Sequence, residues 1–150
     1  MTQVVRLDHD LPESFAALDA AARAEGYDFL ARLARNWRDG AYLGDADASV
    51  FGVYGPNNLE GGDLVAVGAQ TADEYDPAPD HRRLRHFYVH PDARRRGVGT
   101  TLAGTLIQEA FQIAPLLHLR ATHDLSRAFW DSLGFERVDR PDRSHRLVRV

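Results

Sequence analysis

One segment constrains the fold of this 150-residue chain more than any other: Tyr88-Val89-His90-Pro91-Asp92-Ala93-Arg94-Arg95-Arg96-Gly97-Val98-Gly99-Thr100-Thr101-Leu102-Ala103. An apolar, β-prone run (Leu84, Phe87, Tyr88, Val89) stops at Pro91, which has no backbone N–H to donate and so ends sheet pairing. Beyond the arginines, Val98, Leu102, Leu106, Ala110 and Ile113 recur at helical spacing on one stripe. A strand, a basic glycine-bearing turn and a helix therefore follow one another here. Their junction suits an anion, because the first N–H groups of a helix have no internal partner and the macrodipole adds positive charge there. Gly97 and Gly99 let a polyphosphate approach the backbone with no Cβ in the way.

The spacing narrows the choice of anion. A dinucleotide fold asks for G-x-G-x-x-G, but after Gly97 and Gly99 the next glycine is Gly104. A nucleoside-triphosphate loop asks for a lysine, and the chain contains none. Arg94-Arg95-Arg96-Gly97-Val98-Gly99 instead resembles the R/Q-x-x-G-x-G/A signature of the GNAT superfamily of N-acetyltransferases, where this loop holds the pyrophosphate of acetyl-CoA. Upstream, Val89-His90-Pro91 is similar to the V-x-P that closes the fourth strand in that family. Downstream, Ala128-Phe129-Trp130-Asp131-Ser132-Leu133-Gly134-Phe135 is similar to its A-x-F-Y-x-x-L-G-F segment.

Composition and charge agree with a small-molecule enzyme. A chain of this length is expected to form one domain, residues 1–150, burying about two-thirds of its unfolded surface. No apolar run approaches the ~20 residues of a membrane span, and the N-terminus lacks the pattern of a signal peptide, so a cytoplasmic location is expected. The absence of cysteine excludes disulfides, thiolate metal sites and an acetyl-cysteine intermediate. Residues 81–96 carry six arginines against Asp92 alone, in a chain of formal net charge −4. A focused basic patch on an acidic protein suits a small polyanion steered to one site better than a nucleic acid, which calls for a broad basic face. A solvated arginine cluster paired with nearby acids is the alternative.

The remaining pattern supplies the other elements. Val4 to Leu7 reads as a strand, and Asp10 with Glu13 as a capped helix start followed by Phe15, Leu18 and Ala22. Phe29, Leu30, Leu33 and Trp37 suggest a second helix ending near Gly40. Val50–Tyr54 and Leu64–Gly68, with glycine-rich turn residues between, predict a hairpin. A long fourth strand over about 82–90, the glycine-loop helix, a strand over Leu116–Thr122, a helix over Leu125–Leu133 and a strand pair from Phe135 complete the chain. This β-α-α-β-β-β-α-β-α-β-β order matches the GNAT fold. The expected class is α+β: a central mixed, mostly antiparallel sheet of about seven strands flanked by four helices, with strands 4 and 5 splayed apart.

The resemblance also implies site residues. The pantetheine arm would lie in the splay and hydrogen-bond the backbone of Phe87, Tyr88 and Val89, with the pyrophosphate on the amides from Arg94 through Arg95, Arg96, Gly97, Val98 and Gly99 to Thr100. The Arg94 and Arg95 side chains are expected to assist the phosphates; Arg96 either does so or lies solvated. Trp130 stands where many members have the tyrosine that protonates the departing thiolate. An indole N–H donates a hydrogen bond but delivers no proton as a usable acid. Trp130 is therefore either a packing residue or a hydrogen-bond donor, and His123, Ser126 and Tyr54 are substitute donors. Arg85 occupies the position of the glutamate that serves some members as base. His86 is the one nearby group with a pKa suited to a base at neutral pH, about 6.5; it is either that base or structural. Strand alternation puts it with Leu84 and Tyr88, opposite Arg85 and Phe87, unless a bulge intervenes. Arg85 either binds a carboxylate or phosphate on the acceptor or pairs with an acid of the Asp73–Asp80 loop. Tyr27, Trp37 and Tyr42 either line the acceptor pocket or belong to the core and its rim. His81, His86 and His90 are spaced by ~13 Å or more along a strand, and no metal is expected.

The resemblance implies an N-acetyltransferase using acetyl-CoA as co-substrate, with a primary amine of a small molecule or peptide attacking directly in a ternary complex. Neither a nucleic acid nor a membrane is an expected partner, and a homodimer stays open. A CoA-binding module without turnover is the alternative.

Overall fold

The computed structural model describes residues 3–40, 47–55, 62–73, 75 and 78–150. Among these residues, strand β1 (Val4–Arg6) leads into helices α1 (Phe15–Ala24) and α2 (Phe29–Arg38). Strands β2 (Ser49–Gly55), β3 (Asp63–Ala72) and β4 (His81–Val89) follow, then helix α3 (Val98–Ile113), β5 (Leu116–Leu119), α4 (Asp124–Ser132), β6 (Glu136–Arg137) and β7 (His145–Val148). The strands form a single sheet in the order β1-β2-β3-β4-β5-β7-β6, antiparallel throughout except for the parallel pair β4/β5. This is the expected α+β architecture, element for element.

Helices cover both faces. On one, Leu102, Leu106 and Ala110 of α3 and Trp130 of α4 pack with Phe51, Val53, Ala66, Leu84 and Leu117 of the sheet. On the other, Phe15, Leu18 and Ala22 of α1 and Leu30 and Leu33 of α2 pack on Val50, Val67, Ala69 and Tyr88. Along β2 alternate residues therefore serve opposite layers, Phe51 and Val53 on the first and Val50 and Tyr54 on the second.

Several local boundaries differ from expectation, each for a physical reason. Helix α1 begins at Phe15, beyond Asp10 and Glu13, and the Ser14 hydroxyl that precedes it accepts from the Leu64 amide at 2.9 Å. The helix start is thus anchored to β3 by a long-range bond, where the sequence predicts a local capping box. Ile113, predicted on the buried stripe, lies at the last turn of α3 and is 36% exposed. Strand β5 stops at Leu119 because the Ala121 amide turns to the Ser144 hydroxyl at 2.7 Å. The hairpin of β2 and β3 is present, but its turn residues 56–61 lie outside the described residues.

One irregularity shapes the centre of the sheet. Val67 pairs with Tyr88 and Ala69 with Arg85, so Gly68 alone faces both His86 and Phe87. His86 absorbs the extra length in a left-handed conformation, φ 56°, a costly geometry for a residue with a Cβ. The bulge breaks the alternation predicted for β4. Leu84, Phe87 and Val89 now join the α3/α4 layer, while Tyr88 joins the α1/α2 layer. Leu84 and Tyr88 therefore face opposite sides, and Phe87 sits with Leu84.

Candidate functional site

Strands β4 and β5 run parallel, but their pairing is confined to His81–Arg83 against Leu116–His118. β5 lies between β4 and β7, pairing with β7 from Leu116 to Leu119, and beyond Arg83 no strand among the described residues pairs with β4 on that side as far as Val89. A strand edge with unpaired backbone groups is a template for an extended chain. The expected parting of the strands thus begins several residues before Val89, and Phe87, Tyr88 and Val89 all lie along the open edge.

The glycine turn stands at the end of that edge. The His90 amide donates to Val65 O at 2.8 Å, and Pro91–Ala93 form a single 3-10 turn capped by the His90 Nδ1, which accepts from the Asp92 amide at 3.1 Å. Arg95 (φ 64°) and Gly97 (φ 79°) adopt left-handed backbone and swing the chain into α3. The first helical amide to find a carbonyl within the helix is that of Thr101, which donates to Gly97 O at 3.0 Å. The amides of Val98, Gly99 and Thr100 precede it and supply the donors of a helix N-terminus. A Cβ on Gly99 would stand 3.4 Å from Val89 Cγ2 and 3.5 Å from Phe129, at the mouth of the gap. At Gly97 the space is open, and the left-handed φ is the reason for glycine.

The three arginines separate in role. Arg95 and Arg96 are exposed on the turn. Arg94 folds back: Nη1 and Nη2 donate to the two carboxylate oxygens of Glu25 at 3.0 and 2.6 Å, and Nε donates to Val89 O at 3.0 Å. Tyr88 donates its phenol to the same carboxylate. The bond from Arg94 holds the Glu25 carboxyl below its ordinary range against the opposing effect of partial burial. The Glu25 carboxylate raises the Arg94 pKa in turn. Burial and then Glu25 push the Tyr88 phenol up. Glu25 is invisible as a site residue in the sequence, because it follows α1 at a position that no spacing relates to the turn.

Other predicted residues sort themselves by contact. Trp130 is 5% exposed, with its ring centroid 4.9 Å from both Phe87 and Phe129 and 5.3 Å from Phe135. It forms the heart of an aromatic cluster that packs α4 on β4. His86 is buried, and desolvation, followed by the charges of Arg85 and Arg32, lowers its pKa to about 3. The imidazole stays neutral across the physiological range and is a feeble acceptor for an ammonium proton. Arg85 is half-buried on the α1/α2 side, opposite Ala69. Of the described acids of the preceding loop, Asp73 lies 3.6 Å from Arg83, and Asp80 accepts from His81 Nδ1 at 2.8 Å.

Tyr27 packs edge-on against His123 at 4.9 Å and Tyr88 at 6.1 Å, joining the α1–α2 connection to the start of α4 where β4 and β5 diverge. Trp37 is tied to His9 O at 3.0 Å, and Tyr42 lies outside the described residues. The Ser126 hydroxyl donates to His123 O at 2.9 Å and Tyr54 is buried in the α1/α2 layer, whereas His123 is exposed beside Tyr27.

At the closed end of the β4/β5 pair, Asp73, His81 and His118 place ligand-type atoms within 4.8 Å of one another, all buried. Tertiary folding assembles this trio, which the spacing of His81, His86 and His90 does not reveal. The Nη1 of Arg143 lies 2.9 Å from His118 Nδ1 and Arg83 stands beside Asp73, so guanidinium charge already occupies the electrostatic place of a cation. Burial and then Arg143 lower the His118 pKa.

Comparison with known proteins bears on this geometry. The model of the acetyltransferase (GNAT) family matches residues 13–135. No curated protein matches the sequence significantly. Among solved structures, a protein of Exiguobacterium sp. 255-15 assigned as an acetyltransferase superposes with TM-score 0.85 at 26% identity, over 99% of this chain and 93% of that one. A GNAT-family acetyltransferase of Staphylococcus aureus Mu50 gives 0.74 at 11% identity over 99% of both chains. A Clostridium acetobutylicum protein assigned as an acetyltransferase and solved with acetyl-CoA gives 0.64 at 17% identity, over 93% of this chain and 92% of that one.

Proposed function

This chain belongs to the acetyltransferase (GNAT) family, and from that premise we propose that it is an N-acetyltransferase moving acetyl from acetyl-CoA to a primary amine of a small molecule or peptide. The observation that carries the reading is the open edge of β4 ending at a left-handed glycine turn and a helix N-terminus. Acetyl-CoA supplies an activated thioester, which an amine attacks directly, since a chain without cysteine offers no thiol to carry the acyl group.

The amides of Val98, Gly99 and Thr100, with Arg95 and Arg96 beside them, hold the pyrophosphate. The backbone of Val89, Tyr88 and Phe87 aligns the pantetheine arm and leads it towards the bulge at His86–Phe87. Arg85 and the exposed Arg32 both act electrostatically on His86, and the exposed Arg32 favours an acceptor that carries a carboxylate or phosphate besides its amine. The same field favours the amine in its neutral, nucleophilic form. His123, exposed beside Tyr27, is the donor best placed to assist the leaving thiolate. No helix among the described residues is long and apolar enough to cross a membrane, which is compatible with the cytoplasmic location we propose.

A second reading, a CoA-binding module without turnover, draws on the buried Trp130 and the suppressed basicity of His86. Thiol release from acetyl-CoA across a panel of amines, including amino acids and phosphorylated amines, separates the two. Turnover with one acceptor class establishes the enzyme. Tight CoA binding with no thiol release under any acceptor establishes the module, and no CoA binding at all defeats both.

A further inference from the structure

Arg94 opens the R-x-x-G-x-G motif, yet its side chain turns away from the glycines that follow. The planar guanidinium grips both oxygens of Glu25, at 3.0 and 2.6 Å, a bidentate match that a single ammonium cannot reproduce. Its Nε–H is spent on Val89 O, and its carbon lies 5.6 Å from the centroid of the Tyr88 ring. Tyr88 closes the set by donating its hydroxyl to Glu25. One ion pair thus binds the end of α1, the last residues of β4 and the entrance of the glycine turn. Through Tyr27, which packs on Tyr88 and His123, it reaches the start of α4.

We infer that Arg94 and Glu25 act together as positioning residues: the pair clamps the end of β4 and the turn against α1, and Arg94 is not a phosphate ligand. The inference rests on the donor site proposed above. Swinging the Arg94 side chain onto the glycine turn would break its bonds to the Glu25 carboxylate and the Val89 carbonyl, which engage Nε and one N–H of each Nη and aim the guanidinium at α1. Arg95 and Arg96 are exposed on the turn and supply positive charge with no such loss. Glu25 is then as important to donor binding as the motif arginine, although it lies far away in sequence and touches no donor atom itself.

The test is titration of the full chain with CoA at low and moderate salt, for the wild type, Glu25→Gln, Arg94→Ala, Arg94→Lys and the Glu25→Gln/Arg94→Ala double variant. Each single change should weaken CoA binding by about five- to tenfold. The double variant should be no worse than either single one, because both break the same contact. Arg94→Lys should not rescue. The salt dependence of binding in the double variant, which removes both charges of the pair, should equal that of the wild type, since no phosphate contact is lost. Glu25→Gln binding as tightly as the wild type, or tighter, while Arg94→Ala weakens would overturn the inference, because releasing Arg94 would then have served the phosphates. A flattened salt dependence in the double variant, or unchanged affinity in both single variants, would also overturn it. Failure of the wild type to bind CoA would refute the donor site itself. The clamp is then judged by thermal unfolding, where the two single changes should lower Tm non-additively and additive losses would refute it.

Discussion

His86 is the residue whose chemistry the fold changes most. Its pKa of about 3 makes it neutral in the folded protein, whereas in the unfolded chain it protonates near 6.5. The unfolded state therefore binds more protons below about pH 6.5, and the stability His86 permits is complete above that pH and is lost as pH falls towards 3. Between pH 7.5 and 5 the wild type should lose about 2 kcal/mol more than His86→Asn, a residue that also tolerates left-handed backbone. Urea unfolding at the two pH values measures this, and equal losses would show that His86 is solvated. At Trp130 the expectation follows from packing. Trp130→Ala should destabilise by about 3–5 kcal/mol, while Trp130→Phe should keep the pH profile of kcat/KM, because the Trp130 ring is buried among Phe87, Phe129 and Phe135. Rate and stability measured on the same variants distinguish packing from catalysis.

The decisive irregularity among the elements is the β4 bulge, and its sequence signal is faint. Gly68 faces it from β3, and a Cβ there would lie 2.7 Å from Leu106 and 3.0 Å from Phe87. The glycine lets α3 and the bulged strand close together over the sheet. Gly68→Ala should thus cost about 1–3 kcal/mol through overpacking, read as a lower urea midpoint with an unchanged m-value. A neutral outcome would mean that Leu106 repacks freely. The elements themselves were legible because each carries a local signal: the helical stripe of α3, Gly40 just past α2, Pro91 at the strand end. The start of α1 was not, because its anchor is the Ser14–Leu64 bond to a distant strand.

For the whole molecule, a donor held along β4 and at the start of α3 should stabilise the native state by mass action. At CoA concentrations about 100-fold above Kd the gain is about 2.7 kcal/mol, which for a domain of this size raises Tm by roughly 2–4 °C per kcal/mol. Gly99→Leu should abolish that shift, since its side chain would enter the space beside Val89 and Phe129, with little change in Tm of the free protein. A persistent shift in Gly99→Leu would place the phosphate site elsewhere.

The sequence by itself determined the order of elements, the strand–turn–helix junction and the family signature, because these depend on propensities and spacings within short windows. Only the tertiary structure decided which side chains meet. It brought Glu25 to Arg94, gathered Asp73 with His81 and His118, buried Trp130 among aromatics and turned His86 into a neutral bulge residue. Those outcomes depend on desolvation and on contacts between residues far apart in the chain, and neither leaves a period or a spacing to read.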